Sequence, residues 1–268
     1  MYHFFADSSQ LIDEGKRIII DGSDYNHMVN VLRMKVGEEF SVSIKDELSG
    51  NGDSIVDVTD DSAAFEGVKE YRFGIESISP TELVGELRFI KESGAELPSK
   101  IYLFQGLPKA DKMELIIQKA VELGAFQIVP VSMKRSVVKL DEKKAANKVK
   151  RWQAISEAAA KQSKRAFVPE ISMPMTFKQA IAFCADMDVK LLPYEMAEGM
   201  EKTREIIDSV KPGQSIAIFV GPEGGFAEEE VSYAIDAGFN SITMGKRILR
   251  TETAGFTMLS WLMYKLEA

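Results

Sequence analysis

The spacing of apolar and polar positions changes character near residue 92. Before it, short stretches with strand-like alternation recur: RIIID (17–21), EFSVSIKDE (39–47), SIVDVTD (54–60), YRFGIESIS (71–79) and ELVGELRFIKE (82–92). One stretch between them, DYNHMVNVLRM (24–34), has helical spacing instead. There Tyr25, Met28, Val29 and Leu32 share a face, Asp24 is a suitable N-cap, and Gly37 lies just past the end. These features predict a small, mostly β domain over residues 1–93. KESGAELPSK (91–100) has the Gly, Pro and charge content of a linker.

From residue 98 strand-like and helix-like segments alternate. IYLFQGL (101–107), QIVPVS (127–132), VKLLPYE (189–195), SIAIFVG (215–221) and SITMG (241–245) read as strands. DKMELIIQKAVELG (111–124), residues 141–164, FKQAIAFCADM (177–187), residues 198–210, AEEEVSYAIDAG (227–238) and the chain end read as helices. In the first helix Met113, Ile116, Ile117, Ala120 and Val121 form one stripe, and Gly124 sits where a C′ glycine would. The pattern predicts an α/β domain over 98–268 with a mainly parallel sheet. Cys184 falls on a stripe with Ala180 and Ile181, as a small core residue would.

Composition narrows the function classes. The 268 residues are 45% hydrophobic and 28% charged, and no apolar run approaches a membrane span. The start, MYHFFADSSQ, lacks the basic and apolar regions of a signal peptide, so a cytoplasmic location is expected. A lone cysteine excludes an internal disulfide, and with only His3 and His27 beside it no structural metal is expected. Net charge is −8, but residues 1–97 hold 20 acidic and 9 basic side chains, leaving 21 and 24 in the remainder. Residues 134–165 alone carry 11 basic and 3 acidic groups, either a solvated helix face or a surface for nucleic acid.

Two glycine-rich strand ends, IAIFVGPEGGF (216–226) and MGKRILRTETAGF (244–256), lie close together at the edge where open α/β sheets bind ligands. Neither is a phosphate-binding loop of the GxxxxGK[ST] or GxGxxG kind. Gly221, Gly224 and Gly225 either make a tight turn or let backbone approach a flat ligand. Arg247 and Arg250 either pair with acids or recognise an anion, and Thr251 or Thr253 is available to cap the last helix.

GPEGGF (221–226) followed by GKRILRTETA (245–254), with DKMELIIQKAVELG, EAAAKQSKR (157–165), VPEI (168–171) and HMVNVLRM (27–34) upstream in order, resembles the RsmE family of RNA methyltransferases in the SPOUT superfamily. The resemblance spans nearly the whole chain. It implies a PUA-like β-barrel that guides RNA over residues 1–93 and a SPOUT domain with a trefoil knot over 98–268. It further implies a homodimer that moves a methyl group from S-adenosylmethionine to N3 of a uridine in 16S ribosomal RNA, within an assembled small ribosomal subunit. Position by position, the cofactor loops are Leu192, Pro193 and Glu195; then Val220, Gly221, Pro222, Glu223, Gly224 and Gly225; then Met244, Gly245, Ile248, Leu249, Thr253 and Ala254.

Methylation at N3 removes a proton and spreads negative charge over uracil O2 and O4, which a guanidinium can stabilise. Arg250 is the first candidate, and Arg165, from a partner subunit, the second. No histidine lies in 98–268, so Glu252, Glu223 or solvent accepts the proton. The acidic N-terminal domain offers few cations, chiefly Arg33, Lys35 and the Lys16–Arg17 pair. Glu157, Lys161 and Arg165 are spaced to share a helix face, so Lys161, Gln162 and Arg165 join Arg33 and Lys35 as candidate RNA contacts, the alternative being a salt-bridge ladder. Transfer to another atom such as a ribose 2′-hydroxyl, and an RNA-binding module without catalysis, remain as other readings.

Overall fold

A computed structural model describes residues 1–45, 69–92, 94–197 and 199–267. The predicted strand 54–60 and the end of 39–47 lie outside them. The chain divides into two units, the first including residues up to Glu96 together with Ala160–Phe167 and the second the rest from Leu97.

In the first unit β1 (His3–Ala6), β2 (Leu11–Ile12), β3 (Arg17–Asp21), β4 (Glu39–Ile44), β5 (Lys69–Ile78) and β6 (Glu82–Glu92) form one curled sheet in the order β1-β4-β5-β6-β3-β2. Pairing is antiparallel except between β1 and β4. Phe40 is the hub of its core, 5.9 Å from the Phe73 ring and 6.2 Å from Phe4. Helix α1 (Gly22–Asn26) runs into a π-turn (His27–Val31) that buries Met28, and Tyr25, Val29 and Leu32 pack on the same core. The expected face is therefore present, but the helix starts earlier. Asp21 takes the N-cap position, and Asp24 instead accepts a 2.7 Å hydrogen bond from Lys161 Nζ.

His3 is buried between two serines, its Nδ1 2.9 Å from Ser41 Oγ and its Nε2 3.3 Å from Ser43 Oγ. Burial pushes its pKa down to about 4 from 6.5; Glu70 works against the shift, and Lys161 and Lys164 work with it. Between those values the unfolded chain binds the proton that the folded chain refuses. This contribution is complete above pH 6.5 and is lost as pH falls toward 4. Wild-type protein should lose about 3 kcal/mol more than His3→Gln across this window, read from urea midpoints. Parallel curves for the two proteins would contradict the assignment.

In the second unit β7 (Lys100–Gly106), β8 (Gln127–Ser132), β9 (Glu170–Ile171), β10 (Met175–Thr176), β11 (Val189–Pro193), β12 (Ser215–Val220) and β13 (Asn240–Ile242) form a wholly parallel sheet. The order is β10-β8-β7-β12-β11-β13, with β9 also on β8. Helices α2 (Lys112–Glu122), α3 (Glu142–Ser163), α4 (Phe177–Phe183), α5 (Met200–Ser209), α6 (Glu228–Asp236) and α7 (Thr251–Glu267) connect and cover it. Strands β7 and β12 are buried nearly end to end, which explains their continuous apolar runs. Phe104 and Phe219 stack across them at 4.3 Å, with Phe177, Phe226 and Phe239 in the same cluster. Cys184 belongs to that cluster, and burial pushes its thiol up to about 12. None of the described helices is long and apolar enough to cross a membrane.

The segment read as a linker is packed. Leu97 is buried against Gly124, where an added Cβ would lie 2.5 Å from Leu97 Cδ1, and Gly213 donates to the Pro98 carbonyl. Its polar composition hid a single apolar anchor.

Candidate functional site

Strands β11, β12 and β13 end side by side, and the loops that follow them surround a cavity of about 480 Å³. The first loop lends Pro193, Tyr194 and Glu195; the second Val220, Gly221, Pro222, Glu223, Gly225 and Phe226; the third Thr243 to Thr251, with Ala254 one turn into α7. Lys112, the first residue of α2, completes the lining.

Most expected cofactor residues therefore meet here: Pro193, Glu195, Val220, Gly221, Pro222, Glu223, Gly225, Met244, Gly245, Ile248, Leu249 and Ala254. Three lie elsewhere. Leu192 points into the core and is fully buried. Gly224 turns away, its carbonyl accepting from Arg135 Nη1 at 3.1 Å. Thr253 is on the exposed side of α7, where its carbonyl accepts from Thr257 Oγ1.

Close approach of backbone explains the second loop. A Cβ on Gly221 would sit 3.2 Å from Gly225 C and 3.3 Å from Phe226 N, tighter than an ordinary contact, so a side chain there presses on the backbone of the turn. Gly106, at the end of β7, is a comparable case that the sequence reading missed. A Cβ there would lie 2.6 Å from Pro222 N. The signal was present as a glycine closing an apolar strand, LFQG, but its partner is more than 100 residues away.

Charge at the site divides into a paired and an unpaired set. Lys112 Nζ bridges Glu223 and Glu252, 3.3 Å from each. Burial alone would lower its pKa, but the two carboxylates outweigh that and hold it above the ordinary value. Burial would raise the Glu223 carboxyl; hydrogen bonds from its own and the Lys109 backbone N–H, together with Lys112, hold it below the usual range instead. Lys246, Arg247 and Arg250 line the cavity, and no carboxylate among the described residues pairs with them. Arg250 thus stands on the cavity wall. Glu252 stands behind Lys112 rather than on the wall.

Arg165 is a correction. Helix α3 ends at Ser163 and Lys164 turns left-handed at φ 59°, so Arg165 leaves the helix face on which the spacing had put it. Its guanidinium is buried in the first unit on Glu96, with Nε 2.9 and 2.8 Å from the two carboxylate oxygens and Nη2 at 2.6 Å. Lys161 is likewise engaged with Asp24. The supposed RNA stripe is thus largely internal wiring of the first unit; Gln162, Arg33 and Lys35 are exposed.

The cavity suits a nucleoside-sized ligand. It has the volume of a small-molecule site, a wall that includes Gly221, Gly225 and Gly245, and an apolar rim in which Ile248 is 83% exposed. Together with backbone at the loop edges, these features fit S-adenosylmethionine.

Residues 95–263 match the RNA methyltransferase domain family, and residues 20–47 the RNA methyltransferase PUA domain. The chain is 35% identical to ribosomal RNA small subunit methyltransferase E of Bacillus subtilis over 99% of its length and 96% of the relative's. It is 27% identical to the Mycobacterium bovis protein of the same name, over 96% and 88%. The crystal structure of ribosomal RNA small subunit methyltransferase E from Neisseria gonorrhoeae bound to S-adenosyl methionine superposes with a TM-score of 0.75 at 27% identity, covering 97% of this chain and 96% of that one.

Proposed function

The chain belongs to the ribosomal RNA small subunit methyltransferase E family, and from that premise we propose that it transfers the methyl group of S-adenosylmethionine to N3 of a uridine in 16S ribosomal RNA. The observation that carries this reading is the unpaired Arg250 on the wall of a glycine-built, nucleoside-sized cavity. When bound, the cofactor supplies an electrophilic methyl on a sulfonium. The loops would hold it, with backbone around Gly221 and Met244–Gly245 available to hydrogen-bond the adenine and Ile248 and Leu249 available to cover it. Excluding water and aligning the base supply much of the acceleration.

Arg250 stabilises the charge that grows on the uracil oxygens as the N3 proton leaves. Of the two candidate carboxylates only Glu223 lines the cavity, but it already accepts from the Lys109 N–H at 3.0 Å and its pKa is depressed. Glu252 lies off the wall on Lys112, so solvent is the acceptor this arrangement favours. Lys112 is thus the positioning cation for both carboxylates. We assign residues 1–93 to a PUA-like barrel that guides RNA through Arg33 and Lys35, with Gln162 a further contact, and 98–268 to the catalytic domain.

The order β7-β12-β11-β13, followed by a helix whose first residue reaches back to Gly221, supports a trefoil knot in which the chain end passes through an earlier loop. A homodimer working on the assembled small subunit in the cytoplasm completes the reading. Helix α7 buries Met258, Leu259, Leu262 and Leu266 internally yet keeps Phe256 and Met263 half-buried and Tyr264 78% exposed, a second apolar stripe for a partner copy. Sedimentation should give a dimer at micromolar concentration, and a monomer would remove that part of the proposal.

The cofactor test is thermal. S-adenosylmethionine at about 100 times its Kd should add about 2.7 kcal/mol to the folded state, raising Tm. Absence of any shift at millimolar cofactor would point to an RNA-binding module without catalysis.

A further inference from the structure

We propose that Gln105 is a positioning residue for methyl transfer: acting through the Thr251 hydroxyl, it locks the Gly221 carbonyl of the second loop to the start of the helix that follows Arg250. The proposal rests on the function proposed above. Gln105, the penultimate residue of β7, lies opposite Val220 of β12 and is fully buried. Its Nε2 donates to Thr251 Oγ1 at 2.8 Å and to the Gly106 carbonyl at 3.0 Å. Thr251 Oγ1 in turn donates to the Gly221 carbonyl at 2.6 Å. Thr251 thus uses its hydroxyl away from its own helix, in a different role from the cap expected of it.

The directions of these bonds are forced. A carbonyl only accepts, so the Thr251 proton points at Gly221 and its oxygen must receive a donor. Turning the Gln105 amide over would set its oxygen against the Gly106 carbonyl and leave Thr251 without that donor, so the nitrogen belongs where it is. The other end of the amide shows why an apolar residue does not occupy this place. Oε1 is buried with no hydrogen-bond partner among the described residues, an unfavourable feature that leucine or methionine would avoid. The neighbouring strand residues Leu103 and Phe104 are apolar and equally buried. The link to Thr251 and Gly221 offsets the orphaned oxygen.

The consequence lies at the cavity. Gly221 and Thr251 both line it, on different loops, and Arg250 directly precedes Thr251. The relay therefore sets the cofactor-binding turn and the catalytic guanidinium in one register.

The test compares Thr251→Val, which keeps the shape and removes the hydroxyl, with Thr251→Ser, which restores it. Cofactor Kd by calorimetry and the single-turnover rate at saturating RNA and cofactor are read well below each variant's Tm. Thr251→Val should raise Kd about tenfold and lower the saturated rate about tenfold, and Thr251→Ser should recover most of both losses. Gln105→Met should behave like Thr251→Val, and the double variant should be little worse than either single one, because all cut the same link. If Thr251→Val does not fold, Gln105→Met reads the link alone. Valine and methionine variants within about twofold of wild type, a serine variant as impaired as valine, or additive losses in the double variant would overturn the proposal. Wild-type protein that binds no cofactor would overturn the functional reading itself, and this relay's role with it.

Discussion

Replacing Arg250 by alanine is expected to lower the single-turnover methylation rate at saturating RNA and S-adenosylmethionine by about 100-fold or more. The size follows from losing a fixed charge opposite the atoms where negative charge develops in a partly enclosed site. Arg250 has no carboxylate partner among the described residues, so its removal leaves no buried acid unpaired, and the fold should persist. Cofactor affinity is the necessary control, since Arg250 borders the third loop. Near wild-type turnover with both substrates saturating would remove Arg250 from catalysis and move attention to Arg247, the neighbouring unpaired guanidinium. Arg165 no longer competes within its own chain, because Glu96 holds it.

Gly106→Ala should be the most damaging single methyl for cofactor binding. Its Cβ would lie 2.6 Å from Pro222 N and 2.7 Å from Pro222 Cδ, and neither is the end of a flexible side chain that can swing aside. The second loop must shift, and a strain of about 1–3 kcal/mol falls on the conformation that binds cofactor. Kd should rise by up to about 100-fold, which at about 100 times the wild-type Kd cuts the stabilisation from about 2.7 to as little as about 0.4 kcal/mol and shrinks the rise in Tm accordingly. Gly224→Ala is the informative contrast. Its Cβ would press on Arg135 Cβ at 3.1 Å, outside the cavity wall, so a smaller loss is expected. Equal Kd for wild type and Gly106→Ala would show that the Pro222 turn does not shape the site.

These two residues illustrate what the sequence could and could not disclose. Strands β6 and β8 and helix α2 were legible nearly to the residue, because uninterrupted apolar patterns ended in recognisable turn and cap residues. β1 was not, since HFFA is buried at all four positions and has no alternation to detect. The arginines and glycines of the C-terminal loops were visible as unusual residues at strand ends, and the cavity gathers most of them. What stayed hidden depends on partners distant in the chain. Gly106 matters through Pro222, Lys112 through Glu223 and Glu252, and Gln105 through Thr251. The same blindness produced the error at Arg165. Helical periodicity carries no mark of where the helix stops and extends to Arg165, two residues past its end at Ser163, whereas Lys164 breaks it and Glu96, 69 residues earlier, claims the guanidinium.

The central claim is the identity of the methylated atom. Small ribosomal subunits from a strain lacking this protein, incubated with the purified protein and methyl-labelled S-adenosylmethionine, should yield label in N3-methyluridine after complete digestion to nucleosides and mass spectrometry. Label in a ribose 2′-O-methyl nucleoside, or none above the background without protein, would contradict the account.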